Sequence, residues 1–152
     1  MDRTDRRILA LLQENSGLAI SDIAERVGLT TTPCWRRIQN LEKTGVIKGR
    51  VTLLEREKLN LSVDVFVAIR TNEHSKEWLE RFASAVVEFP EVVEFYRMSG
   101  DVDYLMRVVV PDISAYDRFY RRLIEKVDIS DVSSSFAMER IKYTTALPLE
   151  YA

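Results

Sequence analysis

One cysteine, one histidine, five glycines and four prolines are spread over 152 residues, and each scarcity closes off a kind of chemistry. A lone cysteine, Cys34, cannot form an intrachain disulfide, so nothing in the fold depends on an oxidising compartment and the cytoplasm is the expected setting. One cysteine and one histidine cannot assemble a common transition-metal site without carboxylates or a second chain, so no metal and no other cofactor is expected. His74, in a loop before a helix, reads as solvated or capping. No glycine-rich phosphate loop occurs, and a nucleophile would have to come from Ser133 to Ser135 with no second candidate base nearby. No catalytic residue is assigned, and an enzyme is not expected. Long apolar runs are also missing: none approaches the roughly 18 residues that span a bilayer. The start MDRTDRRIL is too charged for a signal-peptide core, so neither export nor membrane insertion is expected.

What is present is a globular composition, 46% apolar and 30% charged, enough to bury a core as one domain or two small ones. The net charge of −2 conceals an asymmetry. Residues 1–50 carry nine basic and six acidic side chains, whereas residues 51–152 carry 13 and 18, the pattern of a basic reading head on an acidic body.

The head is organised around Ser21 to Gly45, SDIAERVGLTTTPCWRRIQNLEKTG. Ile23, Ala24 and Val27 fall at helical spacing behind Ser21 as N-cap, and Gly28 can supply the left-handed residue that ends a helix. A second helix starts at Thr30 with Pro33 in its first turn, where an amide hydrogen has no intrahelical partner, and ends at Gly45. Stepping 100° per residue puts Cys34, Ile38 and Leu41 on one side, which makes Cys34 a small core residue. Thr32, Arg36, Gln39 and Lys43 lie opposite, flanked by Trp35 and Asn40. Trp35 can stack on a sugar or cover a wing, and the sequence leaves both open. Between Thr32 and Arg50 five basic residues face one acidic residue. This inventory of donors suits base edges and phosphates: Thr32, Arg36, Gln39 and Asn40 for the major groove, Arg37, Lys43, Lys48 and Arg50 for the backbone, with Thr31 and Trp35 also expected at the DNA. An ordinary helical hairpin with a solvated face shares the pattern. The following Val46 to Val51, which reads as a wing strand, favours double-stranded DNA as the partner.

Asp2 to Glu14 forms a preceding helix through Ile8, Leu11 and Leu12, with Asp2, Thr4 or Asp5 as cap. Its stripe is too narrow to stand alone, so a three-helix winged head over residues 1–50 is the economical solution. Residues 51–61 read as a linker strand and turn. Residues 62–152 then read as strand, helix, strand, strand, helix, strand: Val63 to Arg70, Ser75 to Glu88, Val92 to Met98, Tyr104 to Val110, Ser114 to Lys126 and Val132 to Lys142. That order predicts an α+β fold, the head followed by a ferredoxin-like βαββαβ domain with both helices on one sheet face. Apolar residues at both parities of Val63 to Ile69 and Leu105 to Val110 imply that a second copy covers the other face, hence a homodimer.

The opening DRTDRRILALLQ, the stretch GLTTTPCWRRIQNLEKTGVI and the hairpin SGDVDYLMRVVVPD, in this order and spacing, resemble the leucine-responsive/asparagine-regulator family of transcription factors, the feast/famine regulators. The resemblance covers nearly the whole chain. It implies a winged helix–turn–helix, dimers assembling into tetramers or octamers, and a small amino-acid effector bound between dimers near the hairpin. The positions matched here are Ser99, Gly100, Asp101, Asp103 and Tyr104. Gly100 permits close approach, backbone amides can receive a carboxylate, and Asp101 or Asp103 can accept from an ammonium. By composition alone Gly100-Asp101 is equally the chemistry of a tight turn. The tail SSSFAMERIKYTTALPLEY resembles a subgroup responding to sulfur amino acids, particularly cysteine; Ser134 and Ser135 either edge the pocket or are solvent-face strand residues. The expected function is therefore a sequence-specific, effector-modulated transcription regulator. The alternatives are an effector-independent, chromatin-like DNA packager, and a small-molecule sensor for an enzyme whose head binds protein.

Overall fold

The computed structural model describes residues 1–152 apart from His74, Asp128 and Ser130, so the reading of His74 lies outside the described residues. The chain forms two compact units, one of Met1–Leu53 with Ile141–Ala152 and the other of Leu54–Arg140.

In the first unit α1 (Arg3–Glu14), α2 (Ile20–Val27) and α3 (Thr31–Lys43) surround a core of Ile8, Leu9, Ile23, Ala24, Val27, Cys34, Ile38 and Leu41. Asp2 caps α1 in a reciprocal box: its side chain accepts from the Asp5 amide at 2.8 Å, and the Asp5 side chain accepts from the Asp2 amide at 3.3 Å. Gly28 takes φ 75° and turns the chain between α2 and α3, a conformation that costs a side-chain-bearing residue steric strain. Two expectations are corrected. The α2 helix starts behind Ala19, with the Ser21 hydroxyl turned to Asp22 Oδ1 at 3.2 Å instead of capping. The segment Val46 to Val51 forms no strand, because the described residues supply no strand beside it to complete the ladder.

The tail also departs from expectation. The last strand stops at Phe136, and residues 141–152 join the head. Gln13 clasps Leu147 by both backbone groups, accepting from its amide at 2.7 Å and donating to its carbonyl at 3.2 Å. Leu149 packs on the helical core, and Arg6 donates to the Ala152 carbonyl at 3.1 Å.

The second unit is a four-stranded antiparallel sheet, β1 (Val63–Arg70), β2 (Val92–Arg97), β3 (Tyr104–Val110) and β4 (Asp131–Phe136), in the order β2-β3-β1-β4. Helices α4 (Lys76–Val87) and α5 (Ile113–Lys126) are capped by Ser75 and Asp112 through side-chain acceptors. The helices meet one sheet face, where Val65, Val67, Ile69, Tyr104, Met106, Val108 and Val110 pack with Phe82, Val86, Phe119 and Leu123.

The other sheet face is mixed. Phe66 and Tyr96 are 41% and 51% exposed, but Asp64, inside the run read as apolar, is only 5% exposed. Its carboxylate takes Arg107 Nε at 2.9 Å and the Arg56 guanidinium; Arg107 continues to Glu94 at 2.7 Å, and Glu94 accepts from the Tyr96 hydroxyl at 3.1 Å. Desolvation works against the charge of Arg107, yet the hydrogen bonds to Glu94 and Asp64 outweigh it and its pKa is raised. No helix among the described residues is long and apolar enough to cross a membrane.

Candidate nucleic-acid interface and effector hairpin

The amphipathic spacing of α3 separates its two jobs. Cys34, Ile38 and Leu41 are buried at 0%, 2% and 4% exposure, and burial pushes the Cys34 thiol pKa up, away from a reactive thiolate. Thr31, Thr32, Trp35, Arg36, Gln39, Asn40 and Lys43 are all exposed, as are Lys48 and Arg50 beyond the helix. The structure thus brings nine of the ten residues expected at DNA to the open surface of the head.

Arg37 differs. It reaches the first turn of α1, with Nη1 at 2.6 Å from Asp2 and 2.8 Å from Asp5. Hydrogen bonds to Asp5 and then Asp2 raise its pKa, while the Asp5 amide and Arg37 lower that of Asp2. The guanidinium expected at a phosphate is therefore engaged in tying α3 to α1. Glu42, the single acid of the stripe, accepts from Gln39 Nε2 at 2.9 Å and from Arg50 Nη2 at 2.8 Å. It thereby ties together two of the residues expected at DNA. The i,i+3 spacing of Gln39 and Glu42 was the signal for this.

The hairpin from Ser99 to Asp103 joins β2 to β3. Met98 donates to the Asp103 carbonyl at 2.8 Å, and Gly100 adopts φ 124° with open space where a side chain would project. Ser99, Gly100 and Asp101 are exposed. Asp103 is fixed instead: its carboxylate accepts from the Thr71 amide at 2.9 Å and its amide donates to the Ile69 carbonyl at 3.0 Å. Arg70, missed in the sequence, pins the turn by donating to the Asp101 carbonyl at 2.7 Å and pairing with Asp131 at 3.0 Å.

Two effector assignments change within the subunit. The Tyr104 ring is 4% exposed and lies among Trp78, Phe82 and Phe95 with ring centroids 5.1–5.8 Å away, so it is a core residue. Ser134 and Ser135 sit on opposite sheet faces by strand alternation and cannot edge one pocket of one subunit. Ser134 meets the Tyr116 hydroxyl at 2.5 Å on the helix side, whereas Ser135 pairs opposite Phe66 on the open face. Burial raises the Tyr116 pKa, while the Ser134 hydrogen bond works in the opposite direction.

A three-helix head with an outward polar and basic helix, joined to a ferredoxin-like sheet domain, defines a helix–turn–helix regulator of the two-domain kind. Comparison with known proteins narrows the class. Residues 1–48 match the winged helix-turn-helix DNA-binding family and residues 64–147 match the Lrp/AsnC ligand binding domain. The chain belongs to the Lrp/AsnC family of DNA-binding transcription regulators, and it is not an enzyme. It is 54% identical over 151 residues, 99% of both chains, to the DNA-binding transcriptional activator DecR of Escherichia coli K12. It is 49% identical over 98% of its length, and 91% of the relative's, to the glutamate uptake regulatory protein of Zymomonas mobilis. Its fold superposes with a TM-score of 0.97 on the crystal structure of an AsnC family regulator from Agrobacterium tumefaciens, 68% identical and 99% covered in both chains. A transcriptional regulator of Neisseria meningitidis, solved as a complex with L-Met, superposes at 0.94 with 36% identity over 99% of this chain and 98% of that one.

Proposed function

We propose that the chain is a sequence-specific regulator that reads double-stranded DNA as a homodimer, with dimers assembling further into tetramers or octamers, and that a small amino acid tunes its binding. The observation carrying this reading is the division of α3: its apolar face is spent on the head core, and Arg36, Gln39, Asn40 and Lys43 project from the opposite side. Thr31, Thr32, Arg36, Gln39 and Asn40 enter the major groove, Trp35 lies beside them, and Lys43, Lys48 and Arg50 meet phosphates. Arg37 acts indirectly by holding the helix.

The open sheet face, with Phe66 and Tyr96 around a neutralised charge network, is the surface a second copy covers. The effector meets the exposed turn Ser99-Gly100-Asp101, and the fixed Asp103 shapes it. A sulfur amino acid such as cysteine is the first candidate ligand, in keeping with the tail resemblance and with the L-Met bound by the Neisseria relative. The site of action is the cytoplasm.

Fluorescence anisotropy with a roughly palindromic duplex tests the DNA reading. Arg50→Ala should reduce the salt slope of binding by about 0.9 and weaken all duplexes about equally, whereas Gln39→Ala should alter sequence preference. A wild-type protein whose binding is indifferent to both salt and sequence refutes this assignment. Thermal-shift screening of the twenty amino acids tests the effector: a ligand at 100 times its dissociation constant stabilises the folded form by about 2.7 kcal/mol. Uniformly absent shifts with DNA binding intact would leave the packaging reading.

A further inference from the structure

Of the exposed α3 side chains expected at DNA, Gln39 is the one that makes a side-chain hydrogen bond among the described residues. Its Nε2 donates to Glu42 Oε2 at 2.9 Å, about one helical turn further on. The acceptor is itself held: Glu42 Oε1 takes Arg50 Nη2 at 2.8 Å, and the Glu42 side chain is 32% exposed. Glu42 therefore has a protein partner at each oxygen.

The chemistry of this contact decides which end of the Gln39 amide faces outward. A carboxylate offers acceptors and no donor, so the amide must turn its NH2 to Glu42 and keep its carbonyl away. One of the two N–H groups is thus consumed, and the side chain projects one donor and one acceptor. In the major groove that pair matches adenine, whose N7 accepts and whose N6 amino group donates. Guanine presents two acceptors, N7 and O6, and would set O6 against the Gln39 carbonyl oxygen. An unrestrained glutamine can meet guanine with both N–H groups; a restrained one has only one to give. The Arg50 guanidinium has five N–H donors, so the one spent on Glu42 leaves others for a phosphate, and Glu42 links backbone register to base reading.

We propose that Glu42 is a specificity-determining positioning residue: by occupying one N–H of Gln39 it makes that side chain a reader of adenine over guanine. The inference rests on the reading that Gln39 enters the major groove.

In vitro selection from a random-sequence duplex pool with the full-length wild type supplies the site, and competition anisotropy with all four base pairs at each selected position measures the preference. The position read by Gln39 is the one whose preference Gln39→Ala abolishes. There the wild type should favour A·T over G·C by roughly tenfold, the scale of one bidentate contact. Glu42→Ala should lower that ratio about threefold or more, chiefly by tighter binding of the G·C duplex. Glu42→Gln, whose amide no longer fixes which end of Gln39 faces it, should shift the ratio in the same direction. Lys48→Ala, which removes a phosphate contact, should weaken all four duplexes about equally. In a Gln39→Ala background, Glu42→Ala should leave the ratio unchanged, which separates orientation of the amide from simple loss of a negative charge near DNA. Circular dichroism melts establish that each variant folds. A wild type that selects no sequence overturns both this proposal and the sequence-specific reading. A selected site with no position sensitive to Gln39→Ala, one at which Gln39 reads a base other than adenine, or an A·T preference equal in the wild type and both Glu42 variants overturns the proposal alone.

Discussion

Asp64 offers the sharpest test of what holds the regulatory unit together. The substitution Asp64→Ala removes a carboxylate that is 5% exposed and faces two guanidiniums, Arg56 and Arg107, whose side chains are 18% and 15% exposed. Breaking a buried ion pair from one side costs about 3–5 kcal/mol, because the abandoned charge stays out of water. Arg107 keeps Glu94 at 2.7 Å and both guanidiniums keep some solvent, which places the expected loss at the lower end, about 3 kcal/mol. For a unit of this size, that is on the order of 12 °C or more in melting temperature. Trp78, 3% exposed in the core of this unit, reports its unfolding by fluorescence once Trp35 in the head is changed to Phe. Urea titrations at one fixed protein concentration then give the difference between variant and parent. The triple change Arg56→Met, Asp64→Leu, Arg107→Met should recover most of the loss, since an apolar cluster of similar volume avoids burying charge. A loss below about 1 kcal/mol for Asp64→Ala would refute the reasoning, because that is how a solvated surface pair behaves.

Three further outcomes are expected. Glu42→Gln removes the carboxylate that engages Gln39 and Arg50, so anisotropy titrations should show tighter binding to random DNA and a salt slope steeper by up to about 0.9. Gln13→Ala severs both hydrogen bonds to Leu147; the head should lose about 1–2 kcal/mol, and limited proteolysis should cut within residues 141–152 sooner. In acid, the Asp2 carboxyl has a folded-state pKa depressed by the Asp5 amide and Arg37, so its contribution is present above the unfolded value of about 3.9 and lost as pH falls below it. Hydrogen exchange of the α1 amides should accelerate there, and Arg37→Ala should flatten that dependence.

The parts of the fold legible in the sequence are those whose neighbours are implied by local period. Val63–Arg70 and Tyr104–Val110 are dense in β-branched or large apolar residues, and both strands occupy the residues expected of them. The over-long last strand fails for a pairing reason. In the β1 register Val65 faces Phe136 and the Ala137 amide still reaches the Asp64 carbonyl, after which β1 has almost no residues left to pair. The tail on the head is invisible to any periodic reading, since Gln13 and Leu147 stand 134 residues apart. The α3 faces could be separated by angle alone, but not the fate of Arg37, which depends on where α1 begins. At the hairpin, residue types showed a turn with polar groups; that Asp103 is tied down while Asp101 stays exposed is a matter of Thr71 and Ile69, distant in sequence.

The return of residues 141–152 to the helical head means that the reading unit is assembled from both flanks of the regulatory one. A single scission near Leu53 would not liberate it intact: the excised piece would lack Leu149 against its interior and Leu147 against Gln13. Exchanging heads between relatives therefore takes two matched splices. A library of chimeras joined at one junction selects, unwittingly, for heads that tolerate a borrowed strap.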